Sequence, residues 1–181
     1  DDKKSNMTNG IEVIPRLEKK EQMKLSFSQQ RLWFLQQLDP KDVSYNISLS
    51  FEILGLLEIA SLEKSVNLLL KRHESLRTTF EIVEGEPVQK VEEFNEIKLP
   101  IHDVESTVEA KKVSENLSRE PFDLENGPLY RLQLLKVNEE HYVLSVTIHH
   151  IISDGWSMGI IAEEISNNYK KIKSNKHFIQ S

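Results

Sequence analysis

The sequence predicts an α/β sandwich, in which a mixed β-sheet is flanked by helices. Segments with apolar residues at every second position lie between segments with helical spacing, and the two kinds follow one another irregularly. Two strand-like segments are separated only by the polar turn Asn138-Glu139-Glu140, which predicts a hairpin. Helices interspersed with hairpins favour one sheet of mixed strand direction covered by helices.

Composition limits the classes of function. The chain has 181 residues, of which 38% are hydrophobic and 29% charged, as is typical of one compact domain or one lobe of a larger domain. The net charge of −6 argues against a nucleic-acid partner, which requires clustered Lys and Arg. No apolar run of membrane-spanning length, no secretory signal and no cysteine is found. We therefore expect no membrane partner, no thiolate metal site and a cytoplasmic location.

The beginning of the chain is expected to hold a leader followed by a helix. Residues 1–22 are polar and are interpreted as a leader or linker, so that the folded lobe spans 23–181. Ser26, followed three positions later by Gln29, predicts a capping box at the start of a helix. Asp39 precedes a proline, so the helix is expected to end there.

The next part of the chain changes period twice. Alternating apolar residues predict a strand over 47–53 with one buried face. Ser61 is then expected to cap a helix. The apolar residues of this helix recur at helical spacing, and they are Leu62, Val66, Leu69 and Leu70. Two further strands are predicted over 78–83 and 88–91, joined by a turn that contains Gly85.

The second half is expected to contain two helices and a hairpin. Apolar residues at helical spacing predict an amphipathic helix over 105–119. The hairpin strands are predicted over 129–137 and 142–149, and the last helix over 156–172. Trp156 is expected to be core or to pack at the start of that helix.

A β-branched strand brings two adjacent histidines, His149 and His150, to its C-terminal end. Adjacent residues on a strand point to opposite faces, so only one of them can face a given cleft. Asp154 can cap the following helix, and Gly155 permits backbone geometry that other residues resist. Histidine changes charge near neutral pH, which suits proton handling.

Other interpretations of these residues remain open. The two histidines and Asp154 could bind a metal, although adjacent histidines on a strand diverge and no third ligand apart from Asp154 lies nearby in the sequence. Asp154 could equally be a helix cap and nothing more. A structural role is expected for the remaining histidines, which are His73, His102, His141 and His177.

Three segments carry a family resemblance. Residues 149–155 read His-His-Ile-Ile-Ser-Asp-Gly, 25–35 read Leu-Ser-Phe-Ser-Gln-Gln-Arg-Leu-Trp-Phe-Leu, and 72–80 read Arg-His-Glu-Ser-Leu-Arg-Thr-Thr-Phe. In their order and spacing they resemble the first core motifs of condensation domains of nonribosomal peptide synthetases. The resemblance implies the N-terminal lobe of a chloramphenicol acetyltransferase-like fold, with the C-terminal lobe absent from the sequence.

The resemblance also implies a role for each site residue. His150 would be the catalytic histidine that faces a tunnel between two lobes, and His149 would pack beneath it. Asp154 would form a structural salt bridge with Arg77, or less favourably with Arg72. A bidentate pair of this kind would clamp the loop that carries His150, so its loss would damage folding as well as rate.

Two more residues and the reaction follow from the resemblance. The backbone N–H of Gly155 would approach the substrate thioester, and Ser157 is a weaker substrate-binding candidate. The amine of an acceptor aminoacyl thioester would attack a donor acyl or peptidyl thioester. The first motif resembles that of domains joining two L-configured partners. Whether His150 acts as a general base or positions the amine is open.

The implied partners are two peptidyl carrier domains, the missing C-terminal lobe and a downstream adenylation domain. The substrates would be carried on phosphopantetheine arms, with no cofactor and no metal bound by the chain itself. Holding half of the site, the chain is expected to be inactive alone. Two alternatives are a freestanding acyltransferase that uses acyl-coenzyme A and a non-catalytic, condensation-like recruitment module.

Overall fold

The computed structural model describes the backbone of residues 23–179 and the side chains of residues 23–174. It contains seven strands and four α-helices within that range. The strands are β1 (Met23–Lys24), β2 (Asn46–Leu54), β3 (Thr78–Val83), β4 (Glu86–Val91), β5 (Ile101–Asp103), β6 (Tyr130–Asn138) and β7 (His141–His149). The helices are α1 (Phe27–Leu38), α2 (Ile59–Arg72), α3 (Thr107–Ser118) and α4 (Gly155–Ile179), with a short 3-10 helix at Glu74–Arg77.

The strands form two sheets. The larger is mixed, with the order β2-β7-β6-β5, in which β5 runs parallel to β6 and the other neighbours are antiparallel. The smaller is antiparallel, with the order β1-β4-β3. Strand β7 is buried along almost its whole length because it is a central strand covered on both faces.

Helices cover both faces of the larger sheet. Helices α2 and α4 pack against each other and enclose the main core, which includes Val66, Leu69 and Ile148. Helix α3 packs on the opposite face against β2, β6 and β7, over a smaller cluster that includes Ala110 and Leu135. The predicted α/β sandwich, with helices flanking a mixed sheet, is confirmed.

Most predicted elements are present, with differences at their ends. The Ser26–Gln29 capping box is formed as predicted. Helix α2 begins before Ser61, because Glu58 is its N-cap residue and the Ser61 hydroxyl donates to the Glu58 carboxylate at 2.9 Å. Strand β2 is an edge strand, so its apolar face is only partly covered and Leu49 is 41% exposed.

Two short strands go beyond what the sequence predicts. Strands β1 and β5 contain two and three residues, too few to show an alternation of apolar side chains. The predicted leader, residues 1–22, lies outside the described residues. Within the described part of the chain, no helix is apolar over a length that would cross a membrane.

Candidate active site

Strand β7 ends at the two adjacent histidines, and they have opposite environments. The side chain of His149 is fully buried, with 0% exposure, whereas that of His150 is exposed. His149 pairs with Asn46 of β2, and the N–H of His150 donates to the carbonyl of Tyr45 at 2.8 Å. This pairing fixes which ring points inward, as the alternation of side chains on a strand requires.

The buried imidazole is held as a neutral ring. The N–H of Ile151 donates to His149 Nδ1 at 3.2 Å, which places the proton of the neutral ring on Nε2. The ring lies edge-to-face against Phe122, with centroids 6.1 Å apart, and tilted against Tyr45 at 6.4 Å. The pKa of His149 is lowered to about 4, chiefly by burial and to a smaller extent by the nearby His150, against the opposing effect of Asp42. At neutral pH, His149 therefore carries no charge.

The second histidine, His150, is accessible from solvent. His150 follows the last paired residue of β7 and precedes the turn that leads to α4. Its backbone is tied to Tyr45, while its side chain reaches solvent. An imidazole in this position can exchange a proton with a bound group or accept a hydrogen bond from an amine.

Asp154 caps helix α4. Its carboxylate accepts from the N–H of Ser157 at 2.8 Å and from the Ser157 hydroxyl at 2.6 Å. These two hydrogen bonds, followed in importance by smaller contributions that include the charge of His150, lower the pKa of Asp154. The carboxylate is exposed and orders the loop between His150 and the helix.

The expected ion pair of Arg77 with Asp154 is not formed between these two described residues. The Arg77 guanidinium group donates instead to the carbonyls of Leu70, at 2.9 Å, of Glu92 and of Lys71. The carbonyls of Leu70 and Lys71 belong to the C-terminal turn of α2, where carbonyls lack helical partners and attract cations.

The alternative partner, Arg72, binds Glu164 of α4 at 3.3 Å rather than Asp154. The Glu164 carboxylate also accepts a hydrogen bond from His73 Nε2 at 2.7 Å. Arg72 and His73 therefore link the end of α2 to Glu164 in the middle of α4, away from the Asp154 cap.

Gly155 and Ser157 occupy the first turn of α4. The φ angle of Gly155 lies outside the left-handed region, and a Cβ atom there would meet no atom within 4 Å. The backbone freedom expected of Gly155 is therefore not used here. The Ser157 hydroxyl is used by the Asp154 cap, so its first role is to order the loop.

Several residues around the histidines carry no signal in the sequence that marks them as site residues. Gln29 belongs to the helix cap and to the motif at 25–35, but neither assignment predicts that its amide donates to the carbonyl of Ile151, as it does at 3.3 Å. Phe122 contacts His149 from a loop that no motif identifies. Phe27 and Trp156, at 91% and 83% exposure, lie on the surface, which corrects the expectation that Trp156 is packed.

A family model and curated relatives both match most of this chain. The family model described as "Condensation domain" matches residues 19–180. The chain is 42% identical over 145 residues to bacitracin synthase 2 of Bacillus licheniformis, covering 79% of this chain and 5% of that protein. It is 39% identical over 163 residues to malpibaldin synthetase of Mortierella alpina, covering 87% of this chain and 3% of that protein. The chain thus spans a few per cent of the length of these relatives.

Solved structures show the same fold. The starter condensation domain of rhizomide synthetase superposes with a TM-score of 0.80 at 25% identity, covering 86% of this chain and 39% of that one. A variant of that domain in complex with C8-CoA has a TM-score of 0.79 at 25% identity, covering 85% and 36%. For the first condensation domain of the CDA synthetase the TM-score is 0.79 at 22% identity, covering 87% and 42%.

Proposed function

The chain belongs to the condensation-domain family, and from that premise we propose that it forms half of a site for amide-bond formation in nonribosomal peptide biosynthesis. The amine of an acceptor aminoacyl thioester attacks the carbonyl of a donor acyl or peptidyl thioester. A C–N bond forms, the C–S bond breaks, and the proton lost by the amine leaves with the thiol. The exposed imidazole of His150 at the end of β7 is the observation that carries this proposal.

Several features of the described residues support the proposal. His150 either takes the proton of the attacking amine or orients the amine by accepting its hydrogen bond. His149, buried and neutral, supports the turn beneath it. The Asp154–Ser157 cap holds the other end of the same loop. The open space beside Gly155 leaves room for a thioester near the first turn of α4.

The proposed substrates are tethered to carrier domains by phosphopantetheine arms, one for the donor and one for the acceptor. Tethering raises the effective concentration of both reactants, so that positioning can supply much of the rate enhancement. The other proposed partners are a C-terminal lobe that closes the site and a downstream adenylation domain. Because the chain covers about two fifths of the solved condensation domains, we expect it to be inactive alone.

A chimeric domain tests the function. The segment of bacitracin synthase 2 that matches this chain at 42% identity is replaced by the chain, in a protein that keeps the remainder of its condensation domain and its carriers. Loaded carriers are mixed, and the amide product is measured by mass spectrometry. We expect product from the chimera and a rate lower by roughly 100-fold or more with His150→Ala. His102→Ala, which changes an exposed histidine on β5, is the matched control.

The outcomes separate the candidates. A chimera that is folded but makes no product, or one whose His150→Ala variant works at the parent rate, refutes the proposal.

Soluble acyl-coenzyme A donors form a second arm, because one similar structure holds C8-CoA. A preference for these donors over loaded carriers identifies the acyltransferase alternative instead. Donors of L and D configuration form a third arm, in which faster transfer of the L donor supports the subtype that joins two L partners. The pH dependence of the rate distinguishes a general base from a positioning residue.

A further inference from the structure

An arginine of the larger sheet lies on the same face of the sheet as the buried histidine. Arg131 of β6 lies opposite Thr147 of β7, and Thr147 precedes His149 by two positions. Side chains two positions apart on a strand share a face, so Arg131 and His149 lie on the same side of the sheet. Asn46 of β2, the cross-strand partner of His149, lies on this side as well.

Arg131 and Asn46 bind the turn that follows α3. The guanidinium group of Arg131 donates to the carbonyls of Glu120, at 2.9 Å, and of Pro121. The amide of Asn46 donates to the carbonyls of Ser118, at 2.8 Å, and of Glu120, at 2.9 Å. Carbonyls at the C-terminal end of a helix attract positive charge. Side chains from two strands therefore hold this turn to the sheet.

The turn places an aromatic ring between the arginine and the buried histidine. The guanidinium carbon of Arg131 lies 3.8 Å from the centroid of the Phe122 ring, a cation–π contact. The same ring, 4% exposed, meets the imidazole of His149 edge-to-face at 6.1 Å. His149 in turn accepts from the N–H of Ile151, so the backbone before and after His150 is fixed by one ring.

We propose that Arg131 is a positioning residue for His150, acting through Phe122 and His149. Arg131 holds the Phe122 ring as one wall of the His149 site, and His149 fixes the backbone on either side of His150. Because the inference names a residue that sets the geometry of the reactive imidazole, it rests on the proposed function. Burial lowers the pKa of Arg131 against the opposing charge of Glu120, in line with a cation that serves an internal contact.

Lysine cannot reproduce this contact, because it has no planar group to stack on a ring while it donates to two carbonyls. In Arg131→Lys the Phe122 ring loses its cover, and the imidazole of His149 loses a fixed wall. The direction of the His150 ring then varies. Since Arg131 does not touch the exposed imidazole, the binding of loaded carriers is unaffected.

The test has two independent measurements. In the chimeric domain, Arg131→Lys is expected to lower kcat by roughly 10- to 100-fold, the range that a misplaced reactive group costs, with KM unchanged. Arg119→Lys is the matched control, because Arg119 is an exposed arginine at the end of α3. In the full chain, NMR with 15N-labelled histidine is expected to show one tautomer for His149, with its proton on Nε2. Arg131→Lys should mix the tautomers and weaken the contacts between the Phe122 and His149 rings.

Phe122→Leu is a second variant, which keeps an apolar side chain at this position but removes the ring, and it should give the same two changes. An unchanged His149 spectrum in a folded Arg131→Lys chain refutes the inference, as does a loss expressed only in KM. If Arg131→Lys does not fold, Phe122→Leu decides by the same criteria. A parent chimera without product refutes the proposed function alone, because the NMR measurement on the full chain does not depend on amide formation.

Discussion

Burial of His149 predicts a specific loss of stability in acid. The pKa of this imidazole falls from 6.5 to about 4 in the folded chain, chiefly because burial disfavours the charged ring. Above pH 6.5 the ring is neutral in both the folded and the unfolded states and contributes nothing to the pH dependence. Below that value the unfolded chain takes up a proton that the folded chain does not, so unfolding becomes easier as the pH falls.

The size of the effect follows from the two pKa values. The difference in proton binding between the unfolded and folded chains reduces the free energy of unfolding by about 2 kcal/mol at pH 5 and about 3 kcal/mol at pH 4. Such a loss is a large part of the total stability of an ordinary domain. The effect levels off below about pH 4, where the folded chain is protonated as well.

Urea denaturation of the full chain between about pH 7 and pH 4 measures this contribution. The variant His149→Asn does not titrate, and its side-chain oxygen can still accept from the N–H of Ile151. It is expected to be less stable than the parent at neutral pH and to lose less stability as the pH falls. His102→Asn removes a histidine from the surface and serves as the control. Equal slopes for the parent and His149→Asn would show that the ring is not kept neutral by burial.

Three further variants test local features by urea denaturation. Asp154→Ala should lower the urea midpoint only modestly, because it removes an exposed helix cap; loss of the folded state would instead indicate a buried ion pair. Ser26→Ala breaks the α1 capping box and should cost about 1 kcal/mol; an unchanged midpoint would show that the box contributes nothing. Gly127→Ala should cost roughly 1–3 kcal/mol, because Gly127 has a φ of +56° and a Cβ would lie 2.8 Å from Thr79 Cγ2. Gly159→Ala is its control, since it lies in α4 with no atom within 4 Å of a Cβ, and an equal loss there would contradict the argument.

The periodicity of apolar residues predicts the long elements because each of them buries one face against a large core. Helix α2 shows this directly, because Leu62, Val66, Leu69 and Leu70 are buried in the main cluster, whereas β7 is buried on both faces. The predicted start of α2 is misplaced because Ser61 is a favourable cap by residue type, while the choice of Glu58 depends on the tertiary path of the chain. Strands β1 and β5 exist only through pairing with distant partners, which no local pattern reveals.

For the site, the sequence predicts the positions and burial of the two histidines but not the contacts that hold them. Opposite orientation of His149 and His150 follows from strand geometry alone. The partner of Asp154 does not, because Ser157 in the first turn of α4 competes with a distant arginine and is closer. Arg131 reaches the site through the sheet register, and Phe122 reaches it from the turn that Arg131 and Asn46 hold to the sheet. Neither placement can be derived from residue spacing.

Adjacent histidines make the site depend on the pairing of β7 with its neighbours. Two charged rings side by side would repel each other, and here the ring of His149 is buried and neutral while that of His150 is exposed. His149 pairs with Asn46, and the N–H of His150 donates to the carbonyl of Tyr45. This register determines which of the two rings is buried. A shift of the register by one residue would move both rings to the opposite faces of the sheet. The burial of His149 and the exposure of His150 are therefore set by the backbone ladder of the sheet, and the proposed role of Arg131, Phe122 and His149 is to refine the direction of the His150 ring.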